Sequence, residues 1–201
     1  MNNAYKIVNY LGKNPGEKYT MHELSKKLNI PYASFYRTIE SIKDLLILEK
    51  IGKAKVIRLN KKNPIVKAHL IISSDEERKD YLKKYPVINK IYQELNTNDI
   101  IVLFGSYAKK TQTEKSDIDL LIINKEGKRT ISFTKYEILF KVKINPIFIT
   151  KNEFKLMLRD NEENVGKQAL HNHIVLNNPG AFWECAWNLI RNNTKSNLKN
   201  A

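Results

Sequence analysis

The chain is 201 residues long, 42% hydrophobic and 28% charged, with a net charge of +14 and a pI of about 9.7. This composition excludes a disordered chain. One cysteine, Cys185, excludes an internal disulfide and a cysteine-built zinc site, and no apolar run approaches the roughly 18 residues of a membrane span. The excess positive charge favours polyanionic partners such as nucleic acid. It is concentrated early: residues 1–70 carry 14 Lys and Arg against 5 Asp and Glu, and the other 131 carry 21 against 16. The N-terminus lacks a signal-peptide core, so the expected location is cytoplasmic with no membrane partner. Cys185, among Phe182, Trp183 and Trp187, reads as a small buried hydrophobe.

Residues 1–60 read as three helices and a hairpin. Ala4, Ile7, Val8 and Leu11 follow helical spacing up to Asn14-Pro15-Gly16. Thr20 and Glu23 form a capping box for a second helix, which Asn29 closes. Pro31 suits the first position of a third helix, whose buried stripe is expected to be Phe35, Ile39, Ile42 and Leu46. Two β-rich runs, 47–51 and 55–59, flank Gly52-Lys53-Ala54 as a hairpin with a basic tip.

This pattern resembles a winged helix-turn-helix domain. The resemblance implies a recognition helix exposing Tyr32, Ser34, Tyr36 and Arg37, and a wing carrying Lys50, Lys53, Lys55 and Arg58 toward DNA phosphates. Winged helices also serve as protein-docking modules, and Lys-rich faces are often simply solvated, so both alternatives stand beside DNA binding. A homodimer is expected by analogy with winged helices that read palindromes.

Lys61-Lys62-Asn63-Pro64 reads as a domain edge, and residues 65–73 fit helix or strand equally. Ser74-Asp75-Glu76-Glu77 has the composition of a helix start. Pro86 is expected to kink or split the segment that follows.

The centre of the chain is Ile100 to Lys109 followed by Ser116 to Ile123. It reads as strand, Gly-Ser turn, short helix, then a second strand interrupted only by Asp119. A charge in so apolar a run is costly unless it is paired or holds a metal. Asp117 and Asp119 share a strand face and repel one another; a divalent cation removes that penalty. Gly105 lets backbone approach a phosphate, and the Ser106 hydroxyl can donate to one.

Phe104-Gly105-Ser106 and Ser116-Asp117-Ile118-Asp119-Leu120 resemble, in order and spacing, the signature of the DNA polymerase β-like nucleotidyltransferase superfamily. The resemblance implies an α+β fold: a minimal nucleotidyltransferase domain with a small mixed sheet flanked by helices, after the winged helix. It implies a triphosphate bound by Gly105, Ser106 and Lys109, and Mg²⁺ held by the catalytic pair Asp117 and Asp119. It also implies transfer of NMP from an NTP, ATP above all, to an unknown acceptor. The expected domains are 1–62 (winged helix), 63–96 (connecting helical segment), 97–192 (transferase) and 193–201 (frayed tail).

Beyond the motif, residues 132–140 read as helix, 142–150 as strand, and 151–158, 162–170 and 179–191 as helices. The stretch from Asn164 to Leu176 resembles the tail of archaeal proteins that join a helix-turn-helix to a minimal nucleotidyltransferase. His171 and His173 would share a face if on a strand, but no third ligand lies nearby in sequence and a structural reading is preferred.

Active family members use a third carboxylate on the next strand; here that position falls on Asn145. The resemblance further implies Arg-Gly where this chain has Lys109-Lys110, and Glu137 or Glu153 are the remaining acids that could substitute. Three functions stay open: an active nucleotidyltransferase, whose acceptor could be a protein, a DNA-binding regulator with a degenerate transferase domain, and an antitoxin-like protein with a toxin-like partner.

Overall fold

The structure, a computed structural model, describes residues 1–52 and 54–192, with side chains described as far as Trp187 among the terminal residues. The expected frayed tail at 193–201 lies outside the described residues. The chain is α+β and divides into two compact units, between Glu76 and Glu77 and again between Ala186 and Trp187.

The first unit contains α1 (Asn3–Lys13), β1 (Tyr19–Thr20), α2 (Met21–Lys27), α3 (Tyr32–Ser41), a 3-10 turn (Lys43–Leu45), β2 (Leu46–Ile51) and β3 (Ala54–Leu59). The three strands are antiparallel in the order β1-β3-β2. The Thr20 hydroxyl accepts from Glu23 N–H while Glu23 accepts from Thr20 N–H, which closes the capping box of α2. Asn29 adopts a left-handed φ of 52° after that helix, and Pro31 caps α3 rather than entering it. Ile7, Val8, Leu24, Phe35, Ile39 and Ile57 are fully buried.

Two expectations here need correction. The stripe on the third helix stops at Ile39, because α3 ends at Ser41 and Leu46 is already the first residue of β2. The short strand β1 was not anticipated; two residues carry too little pattern to register, and β1 exists through its pairing with Val56 and Ile57.

Residues Ile65–Leu82 form α4, one continuous helix within which the first division falls. The expected helix start at Ser74 is therefore wrong. Ser73 and Ser74 are buried within the helix, and the Ser73 hydroxyl donates back to Leu70 C=O at 3.0 Å instead of capping a new turn.

The second unit continues with α5 (Pro86–Gln93), β4 (Ile100–Phe104), α6 (Gly105–Lys109), β5 (Ile118–Asn124) and α7 (Thr134–Phe140). It is completed by β6 (Ile144–Thr150), α8 (Lys151–Arg159), α9 (Val165–His171), β7 (Ile174–Asn177) and α10 (Pro179–Asn192). Pro86 splits the helical segment by opening α5 at its first position. The four strands lie in the order β6-β5-β4-β7, with β6 parallel to β5 and the other pairings antiparallel.

Both faces of this mixed sheet are covered, which is why β4 and β5 are almost continuously apolar. Ile101, Leu103, Ile118, Leu120 and Ile122 pack with Tyr81, Ile88, Ile91 and Tyr136. The alternate residues Ile100, Val102, Leu121 and Ile123 are buried too, as are Phe154, Phe182 and Trp183. Cys185 is buried. On α7, by contrast, Tyr136 is buried while Ile138 and Leu139 are exposed. Among the described residues no helix is long and apolar enough to cross a membrane.

Candidate active site

Phe104 ends the inner strand β4, and the chain turns at once into α6 through Gly105, whose φ is +68°. Phe104 pairs directly with Asp119 on β5. A Cβ on residue 105 would stand 2.1 Å from Asp119 Oδ2, so only glycine leaves room for the carboxylate there. The five-residue α6 ends at Lys109 and is capped by Lys110 in the left-handed region (φ 61°), a conformation that favours glycine, the residue the resemblance implies there. Thr111 N–H donates to Ser106 C=O at 3.0 Å, and Thr113 N–H donates to the Ser116 hydroxyl at 2.9 Å. These bonds fold the loop back and return the chain to the same end of the sheet, where β5 begins beside the end of β4. Ser106 is half-buried and Lys109 exposed.

Asp117 immediately precedes β5 and Asp119 is its second residue. Between them Ile118 is fully buried in the core, so the two carboxylates project to the opposite side, both half-exposed. Strand β6 runs beside them in parallel. Asn145 is the register partner of Asp119, and its Nδ2 donates to Asp119 Oδ1 at 3.3 Å. Just before β6, Lys143 Nζ donates to Asp117 Oδ2 at 2.8 Å. The bond to Asp117 raises the Lys143 pKa above its ordinary value. Lys143 is 71% exposed, so the pair contributes little to stability and matters for its charge.

The two alternative acids are placed differently. Glu137 accepts from Ile144 N–H at 2.9 Å, next to Asn145 but committed to the start of β6. Glu153 caps α8 through Thr150, at the far end of β6. Among the described residues no group of three His, Cys, Asp or Glu side chains could hold a metal ion. Two adjacent carboxylates are what Mg²⁺ takes when substrate phosphates and water complete its shell, so Asp117 and Asp119 fit one such ion. His171 ends α9 and His173 lies before β7, so they do not form a strand pair. His173 is buried, with Nδ1 2.8 Å from Leu170 C=O and its ring edge-on to Phe182 and Trp183.

In the first unit, Tyr32 and Tyr36 lie one turn apart on α3 and are 48% and 44% exposed. Arg37 is exposed, with Nε 3.4 Å from Ala33 C=O. The Ser34 hydroxyl instead accepts from Asn3 Nδ2 at 3.2 Å and is half-buried. Lys50 and Lys55 pair across the hairpin and are both exposed. Arg58, expected to face phosphates, is paired with Glu49. Lys53 lies outside the described residues.

Lys143 is the site residue that sequence reading passed over. The available signal was its parity with Asn145, two residues back on the strand carrying the third-acid position.

The family model described as "Nucleotidyltransferase domain" matches residues 86–168. A Methanocaldococcus jannaschii protein provisionally named a protein adenylyltransferase is 50% identical over 46 residues, 23% of this chain and 44% of the relative. A second protein of that organism, with the same provisional name, is 36% identical over 75 residues, 34% of this chain and 75% of the relative. The chain thus spans less than half of the first relative and three quarters of the second. No solved structure matches it.

Proposed function

This chain belongs to the nucleotidyltransferase-domain family, and from that premise we propose that it is a Mg²⁺-dependent enzyme that moves AMP from ATP to a hydroxyl of a protein acceptor, joined to a DNA-binding winged helix. The observation that carries the transferase reading is the close approach of Gly105 to Asp119 at the end of the sheet where Asp117 also emerges. A protein acceptor is supported by the names of the two relatives, both provisional protein adenylyltransferases.

In this reading the Gly105 backbone, the Ser106 hydroxyl and the Lys109 ammonium hold the triphosphate. Asp117 and Asp119 hold Mg²⁺, which when bound would neutralise phosphate charge and lower the pKa of the attacking hydroxyl. The acceptor oxygen forms a new bond to the α-phosphorus, the bond to the β-phosphate oxygen breaks, pyrophosphate departs, and the hydroxyl proton passes to solvent. The burial of β4 and β5 on both faces fixes Gly105 and Asp119 before substrate arrives.

Residues 1–62, in this proposal, are the winged helix. Tyr32 and Tyr36 face the major groove, and Arg37 and Lys55 meet the backbone. The exposure of Tyr32, Tyr36, Arg37 and Lys55 supports this, and the bond from Asn3 removes Ser34 from the contacting set.

A second reading, a DNA-binding regulator on a retired transferase fold, is favoured by Asn145 facing Asp119 where a third acid is expected. One experiment separates the two. The full chain and Asp117→Asn/Asp119→Asn are melted with and without excess ATP and Mg²⁺, then incubated with ATP labelled at the α-phosphorus. Ligand at 100 times its dissociation constant stabilises the unit it binds by about 2.7 kcal/mol. A shift and a label on protein, both lost in the variant, support the enzyme. Absence of both in a folded wild-type chain sinks it in favour of the regulator.

A further inference from the structure

Strand β6 meets the two aspartates with side chains of the opposite electrostatic sense. Asn145 lies on the rung of Asp119 and turns an N–H toward it at 3.3 Å. Two residues back, just before β6, Lys143 places an ammonium 2.8 Å from Oδ2 of Asp117, just before β5. Backbone pairing holds this alignment, since Ile118 N–H donates to Lys143 C=O at 2.9 Å between the two pairs. Glu137 accepts from the Ile144 N–H at 2.9 Å, which commits its Oε1 to the start of β6.

Resting on the transferase reading above, we infer that Lys143 takes the place of a second metal ion, so that the site works with a single divalent cation on Asp117 and Asp119 beside a built-in ammonium. Charge balance supports this. Three carboxylates with two divalent cations carry one net positive charge. Two carboxylates with one divalent cation and one ammonium carry the same. A second divalent ion at this end of the sheet would lack its carboxylate and be repelled by Lys143. Lys143 is largely solvent-exposed on a flexible stem, so it can stay there while Asp117 turns its other oxygen to the cation. It is a charge-supplying neighbour of the metal ligands, and its substitution should change how many ions the site accepts.

The test counts ions. Native mass spectrometry of the full chain with Mn²⁺ and α,β-methylene-ATP, which cannot release pyrophosphate by the normal cleavage, gives the number of cations per bound nucleotide. Asp117→Asn/Asp119→Asn sets the background from incidental surface binding. Wild type should carry one nucleotide and one Mn²⁺. Lys143→Ala/Asn145→Asp, which removes the ammonium and restores the acid at exposed positions, should carry two. Paramagnetic resonance of free Mn²⁺ reads the same doubling in solution. Two ions on wild type, or one on the folded variant, overturn the inference while leaving the transferase reading intact. Failure of wild type to bind the nucleotide at all removes the transferase reading, and this inference with it.

Discussion

Gly105 and Asp119 stand closer than any other residue at position 105 would permit, since a Cβ there would meet Asp119 Oδ2 at 2.1 Å. Gly105→Ala therefore acts in two ways. The left-handed φ of +68° costs about 1–2 kcal/mol in an L-residue. The methyl also drives the Asp119 carboxylate out of its position. The expected result is a modestly lower melting temperature together with loss of the shift produced by ATP and Mg²⁺. A variant that melts lower but keeps the full shift would mean that Asp119 need not sit where it does.

Lys109 is exposed at the end of α6, and the proposed function assigns it to the triphosphate. Lys109→Met should leave the ligand-free melting temperature unchanged and weaken ATP binding by on the order of tenfold, the size of one charge-assisted hydrogen bond. Calorimetric titration of ATP with Mg²⁺ measures it; equal affinities would remove Lys109 from the phosphate site.

On α3, Arg37 offers a guanidinium with a long 3.4 Å contact to Ala33 C=O. If it meets a DNA phosphate, Arg37→Ala should weaken binding across sequences and reduce the slope of log affinity against log salt by about 1. Tyr36→Ala should alter sequence preference more than the salt slope. Fluorescence anisotropy at several salt concentrations separates the two. Identical curves for wild type and Arg37→Ala would remove Arg37 from the phosphate contacts, and absence of DNA binding by the wild-type chain would point to the protein-docking alternative.

Glu94 is gripped by Lys135, Lys90 and Tyr136, with Lys135 Nζ at 2.5 Å, Lys90 Nζ at 2.6 Å and Tyr136 OH at 2.9 Å. The Lys135 bond foremost, with the other two, lowers its pKa to about 2. Because the folded value lies below the unfolded one, the stabilisation is fully present above the ordinary carboxylate pKa of about 4.3. It is lost as pH falls from there through about 2. Glu94→Gln should melt below wild type at neutral pH, and the gap should close across that acid window. A gap that stays constant down to pH 2 would show that the ionised carboxylate is not its source.

The Gly-Ser and Asp-x-Asp stretch was legible because everything it needs is local. Strand parity places Asp117 and Asp119 on one side, the apolar run commits β5 to the interior, and glycine is required where the chain turns. The capping box of α2 was legible for the same reason, as was the helix break at Pro86: each is written within a few residues. Ser74 to Glu77 had the same local grammar and misled, because burial of Ser73 and Ser74 made those residues helix interior. The helical period of Phe35, Ile39 and Ile42 ran on numerically to Leu46 although the backbone had already become a strand.

What the sequence determined by itself was the identity of the acidic pair, the glycine turn beside it and the class of chemistry these residue types support. Their partners were decided by tertiary structure. Lys143 meets Asp117 only because β5 and β6 are parallel in one register, and Asn145 meets Asp119 through that same register across 26 residues of chain. Which residues stand opposite each other depends on how two strands pair, a relation between distant segments that composition and spacing do not encode.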